Sequence, residues 1–369
     1  MTATLRVMLD QLVVPTDPDL EIATRELTRG LIAGLPAGCE VEGVAPAGPA
    51  DRPVQIPGLS GVRRTALARR ELATALQLGV ATGIGGGMIH SPTLLAPLVR
   101  HDRVHDNDQT VVTIWDLGPW DAPGEWPKSA VGWHRAMLKR AVKHADAVVV
   151  PTHSLAVKLG ALAKLGERIR VIAGAAPSGF QVPTDEVGRR RALDLPEGFI
   201  LLSGRAAPTD ALALGLTAVG RAGIDLPVVV IGAGEGEEPA IADFAAAAGI
   251  SERSVHIRGA LDGADRAAVL GGAVTFIAPS QRSALPWRVL EALALGVPVV
   301  AASSPVHDEV IVDGGILADG SADGLADAVT QALGSTTSVD RLGVLAADRG
   351  RAFSWRESAD RVWQLHAEL

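Results

Sequence analysis

Cysteine is almost missing from this chain. Cys39 stands alone among 369 residues, which excludes an intramolecular disulfide and any zinc site built on cysteines. A single cysteine also makes the cytosol the default compartment. Tyrosine is absent and phenylalanine occurs 5 times. No apolar run reaches about 18 residues without a charge, glycine or proline, so no transmembrane helix is expected. The first ten residues lack a basic start ahead of a long apolar core, and the expectation is that they are not a secretory leader. His90, His134, His153 and His307 show no metal-ligand spacing, and Asp106-Asn107-Asp108 sits just before an apolar run, where turn residues belong. No metal and no cofactor are expected.

What is present is ample core material. Apolar residues make up 47% and charged residues 21%, an ordinary globular balance that excludes intrinsic disorder. The length favours two domains, since single cores stop growing near ~250–300 residues. Residues 1–186 hold 19 Lys+Arg and 19 Asp+Glu, so the whole net charge of −8 falls on the remainder. A phosphate backbone needs a basic field, and nucleic acid is therefore not expected as a partner.

Short apolar, β-branched runs alternate with amphipathic stretches. The runs are 5–9, 41–45, 88–90, 111–115, 147–150 and 169–173, then 199–203, 228–231, 255–257, 274–278, 297–301 and a weak 315–318. They are continuously apolar, as parallel strands covered on both faces are. Helices are expected over 20–33, 62–78, 132–145, 240–248 and 288–295. Strand–helix alternation, about six strands each time, implies two doubly wound α/β domains. The divide falls in the proline-rich 177–195, giving domains over 1–183 and 184–353 and a last helix over 354–369. Two such domains leave a cleft at the carboxyl ends of their strands, where ligands bind.

The most informative block begins at Ala278-Pro279-Ser280-Gln281-Arg282-Ser283 and runs on to Gly296-Val297-Pro298-Val299-Val300. It reads strand, loop, helix, glycine stop, strand. Here the chain resembles the retaining glycosyltransferases of family four (group 1), mannosyltransferase-like members included, which have the two-Rossmann GT-B fold. Pro279-Ser280, Leu290-Glu291-Ala292 and Gly296-Val297-Pro298-Val299-Val300 match that family's pattern. So do Ile89-His90-Ser91-Pro92, the 111–116 strand end, Ala145-Asp146-Ala147-Val148-Val149, Gly204-Arg205 and Phe353-Ser354-Trp355. The resemblance covers nearly the whole chain. It implies two facing Rossmann-like domains, the first for the acceptor and the second for a nucleoside-diphosphate sugar, with the last helix crossing back onto the first.

The departures cluster at the donor site. The family's phosphate-binding Lys, six residues after the Gly of Gly-Arg, is Asp210 here. The first Glu of its seven-spaced pair is Ser283, and its Gly-Phe-Gly is Ala284-Leu285-Pro286, where Pro286 has no N–H to offer. The family's His before Asp is Trp115. A leaving diphosphate without a metal needs cationic stabilisation, one such group being worth a few kcal/mol. By resemblance, Asp116 and Arg205 are the catalytic candidates. Arg205, Arg258, Arg282, Ser283, Arg288 and Glu291 line the donor site, with Arg282 or Arg288 standing in for the lost Lys. The alternative for Glu291 is a surface carboxylate in the first turns of its helix, and for the arginines, solvation or pairing with the domain's carboxylates. Gly232-Ala233-Gly234-Glu235-Gly236 lacks the dinucleotide spacing and matches the family's Gly-x-Gly turn.

Four of the 7 tryptophans fall between Trp115 and Trp133. Indoles stack on sugars, so Trp115, Trp120 and, nearby, His153 are candidates for the acceptor side. Trp126 and Trp133 share a helical face if the helix extends that far. Arg135, Lys139, Arg140, Lys143 and His144 follow with no intervening acid, and Arg63, Arg64, Arg69 and Arg70 form a second basic stretch. A basic amphipathic helix can dock on anionic lipid, against the alternative of a core face backed by a solvated basic face. Two functions are thus in play. One is a cytoplasmic hexosyltransferase-type enzyme, at the inner face of the membrane, acting on a glycan or lipid-linked acceptor of the cell surface. The other is a catalytically degenerate GT-B protein serving as a partner or glycan-binding subunit.

Overall fold

The computed structural model describes residues 2–48, 54–80, 82–282 and 285–369. They form two compact units, Met1–Pro177 with Ser354–Leu369, and Ser178–Phe353.

The first unit is built on a parallel sheet of seven strands: β1 (Ala3–Met8), β2 (Cys39–Ala47), β3 (Gly61–Ala68), β4 (Met88–Ser91), β5 (Gln109–Thr113), β6 (Ala147–Val150) and β7 (Ile169–Val171). Their order is β3-β2-β1-β4-β5-β6-β7. The second unit has six parallel strands: β8 (Phe199–Ser203), β9 (Val228–Ile231), β10 (Val255–Ile257), β11 (Ala273–Ala278), β12 (Val299–Ala302) and β13 (Ile316–Ala318), ordered β10-β9-β8-β11-β12-β13. Helices cover both faces, so β5, β6, β9 and β12 are buried at every position. The strand order reverses between β1 and β4 in one sheet and between β8 and β11 in the other. These are the switch points where open α/β sheets bind ligands.

One sequence expectation is corrected. The stretch 62–78 is not a single helix: β3 occupies its first part and the helix Arg69–Leu78 the rest. In β3 only Thr65 is buried, because the strand lies at the edge and one face meets solvent. Arg63 reaches Glu42 at 3.4 Å and Arg6 reaches the same carboxylate at 2.9 Å. Charge on an edge strand deters pairing with another chain, and it also hides the strand from a search for apolar runs.

The C-terminal helix Trp355–Glu368 belongs to the first unit and packs on the helix Pro18–Ala33. Gly30 permits the approach, since a Cβ there would lie 2.7 Å from the Trp355 carbonyl oxygen. Trp363 Nε1 donates to the Leu31 carbonyl at 3.0 Å, and Ser358 Oγ to that of Ala173 at 2.6 Å. His366 packs edge-on against His90 of β4, with ring centroids 5.6 Å apart, and its Nδ1 meets Gln109 Oε1 at 3.0 Å.

Candidate functional site

In the second unit the loops after β8, β9, β10 and β11 carry the residues singled out from the sequence. Gly204 follows β8 with φ +150, and a Cβ there would lie 2.9 Å from the Asp210 Cβ. Only glycine lets the loop fold so closely onto Asp210. That carboxylate folds back onto the loop and accepts from the Arg205 backbone N–H at 2.6 Å. After β9 the glycine-rich loop wraps Glu237, which accepts from Gly234 N and Ala206 N, both at 3.0 Å. Glu237 also pairs with the Arg205 guanidinium at 2.8 Å. The Arg205 hydrogen bond, followed by those from Ala206 and Gly234, holds the Glu237 carboxyl below the usual carboxylate range. Two acids of the chain thus sit on the N–H groups at the ends of β8 and β9.

Arg258, after β10, directs its guanidinium at carbonyls. It donates to Leu193 O at 2.6 Å, Asp194 O at 2.9 Å and Ile257 O at 2.8 Å, tying the segment before β8 to the sheet. After β11, Ser280 Oγ donates to the Thr209 carbonyl at 2.5 Å and accepts from Arg282 N at 3.2 Å, so it fastens two strand-end loops together. Arg282 is exposed. Ser283 lies outside the described residues.

Glu291 is not the surface carboxylate that its helix, Trp287–Leu295, would allow. It is 2% exposed. Arg266 Nε lies 3.0 Å from both of its oxygens, Arg266 Nη2 is 2.9 Å from Oε1, and Arg288 Nη1 is 2.8 Å from Oε2. Arg266, from the helix Gly263–Gly272, also lies over the Phe180 ring at 5.8 Å. Arg205, Arg258 and Arg288 therefore each meet a different partner. Arg266 and Glu237 were missed in the sequence because neither belongs to a recognisable pattern. The signal for Glu237 was an acid just beyond a Gly-x-Gly turn.

In the first unit, Asp116 follows β5 and accepts from Gly118 N at 2.7 Å. A Cβ on Gly118 would meet Asp116 Oδ1 and Trp126 Nε1, each at 2.9 Å, so the indole closes over this turn. Trp126 and Trp133 stand edge-on to His134, with centroids 5.6 and 4.9 Å away. His134 Nδ1 meets the Ala130 carbonyl at 2.8 Å. Burial pushes the Asp116 carboxyl pKa up and the His134 imidazole pKa down. Asp10, directly after β1, was also missed. It is fully buried, bonded to Arg69 at 3.0 Å and to Gln11 at 2.8 Å, and burial raises its pKa. The sequence signal was an acid ending the first strand.

The acceptor-side candidates separate. Trp115 is a core residue: its indole N–H donates to Pro92 O at 2.8 Å and its ring meets Trp355 edge-on at 6.2 Å. Trp120 is half-buried, and His153 is exposed at the start of the helix His153–Leu162. The helix Lys128–His144 begins after Trp126, so Trp126 and Trp133 do not share its face. That helix buries Val131, Met137, Leu138 and Ala141 and exposes Lys128, Arg135, Lys139 and Lys143. Among the described residues, no helix is long and apolar enough to cross a membrane and no group of three or more His, Cys, Asp or Glu could hold a metal ion.

Residues 197–335 match the family model described as glycosyl transferases group 1. The matched residues all fall in the second unit. No curated protein matches the sequence. Over its full length the chain is similar to a sucrose-phosphate synthase from Thermosynechococcus elongatus, at 20% identity and a TM-score of 0.75, covering 99% of this chain and 98% of that one. It is likewise similar to Anabaena HepE in complex with UDP and glucose, at 15% identity and a TM-score of 0.74, with 100% of each chain covered. WaaG, a glycosyltransferase involved in lipopolysaccharide biosynthesis, aligns at 14% identity and a TM-score of 0.66, over 97% of this chain and 98% of that one. At such identities the likeness establishes the fold: α/β, two Rossmann-like units, matching GT-B proteins. The matched segment runs from the start of β8 to just beyond the helix Ala322–Leu333, and so includes the loops after β8, β9, β10 and β11.

Proposed function

We propose that this chain is a glycosyltransferase that moves a hexosyl group from a nucleoside-diphosphate sugar to a glycan or lipid-linked acceptor, with retention of configuration. The observation that carries this reading is that the group 1 match covers the β8/β11 switch point with its Gly204-Arg205 and Pro279-Ser280 loops intact. The glucose- and UDP-containing HepE structure is a precedent in the same fold for the donor class. Arg205 lies two residues beyond the end of β8 and would face the donor's phosphates. Asp116, at the turn after β5, would hydrogen-bond a sugar hydroxyl. The exposed face of Lys128, Arg135, Lys139 and Lys143 suits an anionic lipid surface, which supports work at the inner face of a membrane.

A second reading, a degenerate GT-B protein that binds glycans or a partner enzyme, is favoured by one observation. Both Asp210 and Glu291 are engaged inside the unit, Asp210 on a backbone N–H and Glu291 on two arginines. Titration of the full chain against nucleoside diphosphates and their sugars separates the two. A ligand at a hundredfold excess over its Kd stabilises the native state by ~2.7 kcal/mol. One nucleotide raising the melting temperature, followed by sugar turnover, supports the transferase. No shift with any of them at millimolar concentration refutes the donor site.

A further inference from the structure

The ends of β8 and β9 present a concave set of donors. The backbone N–H groups of Arg205, Ala206 and Gly234 and the Arg205 guanidinium converge there, and a run of such N–H groups is a general device for holding anions. In this chain the anions are already in place. Asp210 takes the Arg205 N–H at 2.6 Å, and Glu237 takes Ala206 N and Gly234 N at 3.0 Å each and the guanidinium at 2.8 Å. The fit is close: a Cβ on Gly234 would lie 2.7 Å from the Glu237 carboxyl carbon.

We propose that Glu237 is a built-in competitor for the Ala206 and Gly234 N–H groups and the Arg205 guanidinium, and must swing out before a diphosphate can bind there. This rests on the donor-site reading above and adds its regulation.

The geometry allows the exchange. The Glu237 side chain is 22% exposed, so it can rotate outward without crossing the core. It precedes the helix Glu238–Ala247 and makes no side-chain cap to it, so the helix keeps its start when the carboxylate leaves. Its bonds are charge-assisted, the strong class, and a diphosphate would make the same ones with more charge. Asp210 is held by the tight Gly204 turn and stays. The cradle that opens therefore offers Ala206 N, Gly234 N and the Arg205 guanidinium. Because the competitor is intramolecular, apparent affinity falls in proportion to the fraction of molecules with the cradle open.

The test uses the full chain with inorganic pyrophosphate, which carries the shared chemistry without a base or a sugar. Calorimetric titration compares the wild type with Glu237→Ala, and amide resonances of Ala206 and Gly234 are followed in parallel. The expected result is pyrophosphate binding at least about tenfold tighter in Glu237→Ala, with both amides shifting. Equal or weaker binding, or amides that do not respond, overturns the proposal and makes Glu237 a residue that merely orients Arg205. Should Glu237→Ala lower the melting temperature, Glu237→Gln, which keeps the shape and removes the charge, decides by the same readout. The donor-site reading fails separately, if pyrophosphate binds the variant but no nucleoside diphosphate or its sugar binds any form of the protein.

Discussion

Replacing Glu291 by alanine should destabilise the second unit severely. Glu291 is 2% exposed and Arg266 is 7% exposed, and the two are joined by contacts of 2.9–3.0 Å. Removing the carboxylate strands the Arg266 charge in a place that water barely reaches. Breaking a buried pair from one side costs about 3–5 kcal/mol, because the remaining charge is uncompensated. For a unit of this size each kcal/mol moves the midpoint by roughly 2–4 °C, so a fall of about 6–20 °C is expected. Scanning calorimetry on the full chain, following the transition of the second unit, measures it. A double replacement, Arg266→Met with Glu291→Leu, should recover much of the loss, since matched apolar side chains often replace buried pairs at little cost. A fall of less than about 2 °C in Glu291→Ala would refute this reasoning. It would mean that the ion cluster contributes little to the fold and that the carboxylate is held for a ligand.

Acid should loosen the first unit. Burial holds His366 neutral down to about pH 4, whereas an exposed histidine takes its proton near 6.5. Stability from this residue is therefore full above pH 6.5 and is lost as pH falls towards 4, by about 3 kcal/mol. His90 is shifted the same way by its burial. Denaturant midpoints between pH 7 and 4.5 should be flatter in His366→Gln than in the wild type, and parallel curves would count against the assignment. Val312, a β-branched residue at φ +53 and 53% exposed, stores backbone strain and buries little. Val312→Gly should raise stability by about 1 kcal/mol in a urea titration. Gly30→Ala should do the opposite by about 1–3 kcal/mol, since its Cβ would press on the backbone of the helix Trp355–Glu368. Faster proteolytic release of that helix would register it.

Much of the architecture was readable because parallel strands covered on both faces have no polar alternation to obscure them. Phe199-Ile200-Leu201-Leu202 and Val228-Val229-Val230-Ile231 are buried throughout and announce themselves as strands. Gly61–Ala68 did not, because an edge strand carrying Arg63 and Arg64 reads like the exposed face of a helix. The site was less legible for a different reason. Motifs record which residues stand in a loop, not which partners they meet. Glu291 meets Arg266 from 25 positions away, and Glu237 meets Arg205 from 32. The spacing around Pro279-Ser280 located the loop, while the pairing that settles its charge came from elements distant in the chain. Trp115 shows the same limit: its aromatic ring suggested a sugar platform, but Trp355, contributed by the last helix, draws it into the core.

The return of the chain to the first unit has a consequence for how the protein is made. The groove beside Gly30 is laid down early, but the helix that fills it is encoded after the entire second unit, Ser178–Phe353. At roughly 5–20 residues per second of synthesis, the ribosome needs on the order of 10–35 s to reach it. During that interval the helix Pro18–Ala33 lacks its cover at Gly30. Completion of the first unit is thereby made to wait for synthesis of the second, and a chain broken off between them would leave the helix Pro18–Ala33 without the partner it packs on, for chaperones and proteases to find.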